Sequence, residues 1–322
     1  MSALQFLRSC TRLPVIGAPM FLVSGPDLVI AQCAAGIVGT FPSLNARPQD
    51  ALGDWLTRIE AGLAAHRREH PGALVAPYGV NLIVHPSNAR WQGDLQICVD
   101  HKVPLIVTSL HAPDAVVQAV RPYGGLVFHD VTTVRHARRA LDAGVDGLIL
   151  VAAGAGGHAG VLNPMALVNE IRSFYDGPLA LSGCISHGKD VLAALAMGCD
   201  FAYMGTRFIA TQESLASDRY REMVLQAGVD DVLYTPFFSG VPANYLIPSI
   251  AAAGLDPDNV RTRQDDTVDL DKRNRPKAWK DIWSAGQGVG AVQEILSTRA
   301  LVDQLAGEFN EARQAIGALA PA

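Results

Sequence analysis

The sequence predicts an α/β fold, a (β/α)8 TIM barrel with an inserted segment after strand eight. Three observations carry this. Short apolar, β-rich runs alternate with helical patterns, as in a parallel sheet built from βα units. Eight such runs recur at intervals of roughly 20 to 30 residues, and most are apolar on both faces, as strands covered by helices must be. The regularity stops near residue 208, and 322 residues of 49% hydrophobic composition are enough for one large barrel and an elaboration. An open doubly wound sheet is the competing architecture.

The expected strands are Leu13 to Met20, Gly36 to Phe41, Tyr78 to Val84, Pro104 to Leu110, Leu126 to Val131, Gly147 to Ala153, Pro178 to Cys184 and Phe201 to Phe208. Between them Gly36, Gly144 and Gly198 fall where a helix stops in a left-handed cap and the next strand begins. Beyond strand eight, Ala216 to Gly228 reads as an amphipathic helix, Asp231 to Pro257 is rich in Pro, Phe, Tyr and Asn, and Arg261 to Lys277 is charged with little periodicity. That stretch is too long for a barrel connection. Residues 1–208 and 291–322 are therefore expected to form the barrel, and 209–290 an insertion covering or flanking the mouth; a homodimer arm is the competing role. Val292, Ile295, Leu296, Leu301, Val302 and Leu305 have helical spacing and should close the barrel from outside.

Composition excludes several classes. A net charge of −5 offers no field for nucleic acid, and the basic residues cluster only in the short run Asp271 to Lys277. The five cysteines show neither a disulfide framework nor CxxC spacing, which fits a reducing cytoplasm. The N-terminus lacks the apolar run of a signal peptide, and no stretch is long enough to span a membrane. None of the five lysines lies in an expected strand, which disfavours a Schiff-base aldolase. His85, His111, His129 and Asp130 end strands, but convergent metal ligation is not indicated, so no metal is expected.

Active sites of such barrels lie at the C-terminal strand ends. After strand six the chain reads VAAGAGGHAG, Val151 to Gly160: Gly154, Gly156 and Gly157 let backbone approach a ligand, and His158 is the sole titratable side chain of the loop. Ser182, Gly183, Cys184 and Ile185 after strand seven, and Gly205 and Thr206 after strand eight, form paired small-residue turns able to hold a phosphate on backbone N–H groups and a helix N-terminus. A phosphate there beside an uncharged, glycine-lined cavity suits a flat, largely neutral ring system such as flavin mononucleotide (FMN). Phe41, Tyr245 and Trp283 are candidates for an aromatic wall over the substrate.

Gly79 to Asn81 (GVN), Ala155 to His158 (AGGH), Ser182 to Ile185 (SGCI), Met204 to Phe208 (MGTRF) and Trp283 to Gly288 (WSAGQG) resemble, in order and spacing, the motifs of the nitronate monooxygenases, from Leu13 to about Gly290. The resemblance implies a barrel binding FMN noncovalently, its phosphate on Gly183 to Ile185 and on Gly205 and Thr206. It puts Asn81 and the loop around Pro19 and Met20 near the isoalloxazine, Gly156 and Gly157 beside it, and His158 as the catalytic residue. The implied reaction oxidises an alkyl nitronate with O2 to a carbonyl compound and nitrite, without NAD(P)H. An NAD(P)H-dependent flavin reductase acting on a quinone or enoyl thioester is the alternative, and a non-catalytic flavin-binding barrel the second. Three positions depart from the family pattern. Gly17-Ala18-Pro19-Met20 stands where many relatives have Gln-Gly-Gly-Met, and Pro19 cannot donate a backbone hydrogen bond. Asp130 stands where many have lysine, placing an anion near the flavin, and Cys184 replaces a second glycine.

Overall fold

Eight parallel strands form the barrel in the computed structural model, which describes residues 3–262 and 277–318. In chain order the strands are β1 (Val15–Gly17), β2 (Gly39–Pro42), β3 (Tyr78–Val84), β4 (Leu105–Leu110), β5 (Leu126–Val131), β6 (Gly147–Val151), β7 (Gly157–His158), β8 (Leu179–Ser182), β9 (Phe201–Met204), β10 (Val232–Thr235) and β11 (Ala243–Leu246). The barrel order is β1-β9-β8-β6-β5-β4-β3-β2, and a parallel bridge between Ile16 and Val38 joins its two ends.

Alternation along the strands divides the side chains between two layers. Inward positions Ile16, Val38, Leu105, Val107, Phe128, Ile149, Ala180 and Phe201 fill the interior. Outward positions such as Val80, Leu82, Ile106 and Val127 pack under the surrounding helices. Each such side chain, fully buried, contributes roughly 1.5–3 kcal/mol of apolar transfer. At the C-terminal ends the same inward register brings Asn81, Ser109, Asp130, Ser182 and Tyr203 to the top of the barrel, so its floor turns polar where a site can form.

Several expected elements are shorter than their apolar runs. β1 keeps three residues of Leu13 to Met20, because Pro14 and Pro19 have no N–H to donate to a ladder. The tail of the run Phe201 to Phe208 is a helical turn, Thr206–Ile209. Gly36, Gly144 and Gly198 do end their helices with φ of +90°, +83° and +105°. The last helix is Thr298–Gly317, capped by Ser297, whose Oγ accepts from the Ala300 N–H. It covers Leu13, Leu28 and Val191 with Leu301, Val302 and Leu305. Val292 instead packs with Val289 and Val224, Leu296 is half-buried against the cluster of Leu301, Val302 and Leu305 from ahead of the helix, and Ile295 is exposed, so the helical reading of those three positions is corrected.

Within 209–290 the helix Asp218–Gln226 is followed by structure that periodicity did not suggest. β10 and β11 form an antiparallel hairpin, and β11 continues onto β7, pairing Ala243 with His158 and Asn244 with Gly157. The insertion is thereby joined by strand pairing to the glycine loop after β6. Residues 263–276, which hold most of the charged run Asp271 to Lys277, lie outside the described residues.

Candidate functional site

The floor is a hydrogen-bonded row across three neighbouring strands. Asn81 Nδ2 donates to Val107 O (3.2 Å) and to Ser109 Oγ (2.9 Å), and Ser109 Oγ donates to Asp130 Oδ2 (2.7 Å). Asp130 Oδ1 and Tyr203 Oη are buried without a hydrogen-bond partner. Burial pushes the Asp130 carboxyl up to about 7, against a smaller opposing effect of the Ser109 bond. It also pushes the Tyr203 phenol up, and the nearby Asp130 charge adds to that. His129, one residue away, faces the helix layer. Its Nδ1 lies 2.8 Å from Thr108 Oγ1, and burial, assisted by His136, lowers it to about 4, so the imidazole is neutral.

The turns after β8 and β9 stand beside this floor. Gly183 and Cys184 have φ of +133° and +57°, a left-handed turn of the kind that aims successive N–H groups at an anion. The N-terminus of the following helix, Gly188–Ala196, is already satisfied. Asp190 Oδ2 accepts from the N–H groups of Ser186 and His187, and Glu308 Oε2 from that of Gly188. The expectation of a phosphate on that helix end is thus corrected: two carboxylates occupy it, and the turn before it remains. At Gly205 an added Cβ would meet Ala18 Cβ at 3.5 Å and Met20 Sδ at 3.6 Å, ordinary contacts that protein packing does not forbid.

A strap, residues 283–288, ties these loops together. Gly286 N–H donates to Thr206 Oγ1 (2.9 Å), Gln287 N–H to Gly154 O (2.9 Å), Ser186 Oγ to Gly288 O (3.0 Å), and Gly157 N–H to Ser284 Oγ (2.8 Å). Gly156 lies so close under the strap that a Cβ there would sit 2.8 Å from Gly286 N. Its lack of a side chain therefore serves the strap. Gly157, at φ +69°, has open space where a Cβ would point.

His158 is half-buried in β7. Its Nε2 lies 3.1 Å from Ser239 Oγ, and burial holds its pKa below the ordinary imidazole value. Trp279 meets it edge-on at 5.0 Å between ring centroids, and Trp279 is in turn flanked by Phe21 at 6.3 Å and Tyr245 at 6.1 Å. The wall over the imidazole is built from these rings. Phe41 is corrected: it is fully buried against Trp55 under the helix layer. Trp283 is corrected too: it stacks on Tyr220 at 4.9 Å and 14° within the insertion. Trp279, Phe21 and Ser239 were missed because nothing local in the sequence marks them; Trp279 and Ser239 reach His158, and Phe21 reaches Trp279, through long-range contacts. Asn45 fixes the loop carrying Pro19 and Met20, donating through Nδ2 to Met20 O and Ser24 O and accepting from the Leu22 N–H. His85 and His111 meet edge-on with 4.8 Å between ring centroids, and among the described residues no three potential ligands converge on a metal.

These features fit a bound FMN: a polar floor with unpartnered buried oxygens, a left-handed backbone turn for a phosphate, open space at Gly157 and room at Gly205. Comparison with known proteins gives the same direction. A family model described as nitronate monooxygenase matches residues 41–308. A nitronate monooxygenase of Paraburkholderia phytofirmans is 26% identical over 76% of this chain and 76% of its own length. The (3aS,4S,5R,7aS)-5-hydroxy-7a-methyl-1-oxo-octahydro-1H-indene-4-carboxyl-CoA dehydrogenase of Rhodococcus jostii is 27% identical over 72% of this chain and 62% of its own, so the chain spans about three-fifths of that relative. The nitroalkane oxidase of Streptomyces ansochromogenes shares the fold, with a TM-score of 0.76, 24% identity and coverage of 96% of this chain and 99% of that one.

Proposed function

We propose that this chain, which belongs to the nitronate monooxygenase family, is an FMN-dependent oxidoreductase that oxidises alkyl nitronates with O2 to a carbonyl compound and nitrite, without NAD(P)H. The observation that carries this reading is His158, a neutral imidazole at the mouth with an aromatic wall beside it. When bound, FMN supplies the electron acceptor that passes electrons on to O2. The backbone N–H groups of Gly183, Cys184 and Ile185 and of Gly205 and Thr206 would hold its phosphate, and Asn81, Asp130, Ser182, Pro19, Met20, Gly156 and Gly157 would line the place of its ring. His158 takes the proton from the carbon of a nitroalkane or orients the nitronate, and Trp279 keeps water from that side of the ring.

Similarity to a carboxyl-CoA dehydrogenase favours a second reading, an NAD(P)H-dependent flavin reductase acting on an acyl thioester. One pair of measurements separates them. With FMN-loaded protein, nitrite release and O2 uptake from propyl or propionate nitronate are expected, and anaerobic NADH or NADPH should leave the flavin oxidised. Rapid bleaching by either nucleotide with no nitronate turnover would replace the first reading by the second.

A further inference from the structure

We propose that Asp130 and Tyr203 form a proton-holding pair in the barrel floor, in which the Asp130 carboxylate takes up a proton as negative charge develops on a flavin ring bound above it. This rests on the flavin reading of the site. The geometry is a row that ends without a partner. Asn81 Nδ2 donates to Ser109 Oγ and Ser109 donates its one proton to Asp130 Oδ2, so the row delivers hydrogen bonds toward the carboxyl and leaves Oδ1 for something else. Oδ1 has no solvent contact, and Tyr203 Oη, also buried and unpartnered, stands close enough to sense the carboxylate charge. A buried acceptor and a buried donor left unmade cost free energy, which a polar ring edge laid over them would recover.

Among the described residues no cation compensates the Asp130 charge. Asp130 faces Asn81 and Ser109 on β3 and β4, Ile149 and Val151 on β6, Ser182 on β8 and Tyr203 on β9, and below it Phe128 and Phe201 close the interior. His129 points to the other side of the strand and is neutral. No ion pair to Asp130 occurs among the described residues. Its charge near neutral pH is therefore supported by the Ser109 hydrogen bond alone, in line with its carboxyl pushed up to about 7. The step balances simply. Two electrons and one proton enter the ring from the reductant and water, leaving it singly negative; a second proton from bulk water joins the Asp130 carboxylate, and reoxidation returns both protons and both electrons.

The test is the midpoint potential of FMN-loaded protein against pH, titrated with dithionite, for the wild type, Asp130→Asn and Tyr203→Phe. One extra proton taken up per two electrons steepens the wild-type slope by about 30 mV per pH unit, a tenfold change in affinity ratio per unit. That extra slope should appear at and above neutral pH, vanish in Asp130→Asn, and move along the pH axis in Tyr203→Phe. Parallel lines for the wild type and Asp130→Asn overturn the proposal while leaving the flavin reading intact; a wild type that takes up no FMN overturns both. Where Asp130→Asn fails to hold flavin, redox-difference infrared spectra of the wild type decide. A carboxylic-acid carbonyl band appearing on reduction supports the pair, and its absence overturns it.

Discussion

His158 reaches Ser239 at 3.1 Å through Nε2, and the direction of that hydrogen bond sets what the ring can do. Ser239 has one hydroxyl proton, and it goes to Val241 O at 2.9 Å. The bond to the histidine is then donated by Nε2–H, which leaves Nδ1 with the lone pair of a base. Because burial lowers the imidazole pKa, this neutral form persists below the ordinary imidazole range as well as above it. The sign follows: activity is retained as pH falls through 6.5 and is lost at more acid pH, when the ring protonates. His158→Asn keeps polarity and size but offers no base. It should retain FMN, lose about 10²- to 10⁴-fold in turnover and lose the acid limb of the kcat/KM profile. Flavin spectra together with that profile check it, and unchanged turnover would remove His158 from the chemistry. This residue was legible in the sequence because it is the one titratable side chain in a glycine loop. Its partners were not: Ser239 and Trp279 lie about 80 and 120 positions along the chain, as the bond and the ring contact between them show.

The element that holds the mouth together is the strap over the loops of β6, β8 and β9, and its contact with Gly156 makes it testable. An alanine Cβ at 156 would sit 2.8 Å from Gly286 N and 3.1 Å from Ala285 C, both backbone atoms that cannot rotate away. Gly156→Ala is expected to destabilise by about 1–3 kcal/mol and to speed amide exchange across 283–288. Gly157→Ala meets no neighbour within 4 Å and carries only the left-handed strain of φ +69°, roughly 1 kcal/mol, with the strap left in place. Thermal unfolding with site-resolved hydrogen exchange distinguishes them, and equal exchange in the two variants would mean that the strap does not rest on Gly156. The same contrast explains which elements could be read in advance. Barrel strands carry two apolar faces and each pairs with a neighbour nearby in sequence, so composition alone exposes them. β10 and β11 are four residues each, and their third partner is the two-residue β7, some 85 positions earlier as the pairing of Ala243 with His158 records. No local period encodes such a pairing. The floor was partly legible, since Asn81, Ser109 and Asp130 stood at the ends of successive strands, whereas Tyr203 as the opposing hydroxyl on β9 depends on barrel closure.

Over the whole molecule the buried titratable groups act in opposite directions with pH. His129 falls from 6.5 unfolded to about 4 folded, so the unfolded chain binds its proton first as pH drops, and the stability this group supports is lost from pH 6.5 down to about 4. His66, His136 and His158 are lowered too, as are Asp303 and Glu308, and all of these likewise withdraw stability as acid is added. Asp130 has the reverse sign. Raised from 3.8 to about 7, it stays protonated in the fold while the unfolded chain ionises, so its contribution is lost as pH rises from 3.8 to about 7. Among the described residues it is the one carboxyl raised in this way. The two large shifts nearly offset, each on the order of 3–4 kcal/mol at 1.36 kcal/mol per unit, which flattens wild-type stability between pH 4 and 7. Removing the acid unmasks the histidines. Relative to the wild type, Asp130→Asn should gain little or nothing at pH 4 and progressively more toward pH 7, reaching on the order of 2–4 kcal/mol once solvent at the mouth has screened part of the effect. Urea midpoints of both proteins across that range measure it as a difference in which every other group cancels. Curves that stay parallel from pH 4 to 7 would show that Asp130 ionises in the fold as freely as in the unfolded chain, and that the barrel floor tolerates an uncompensated charge.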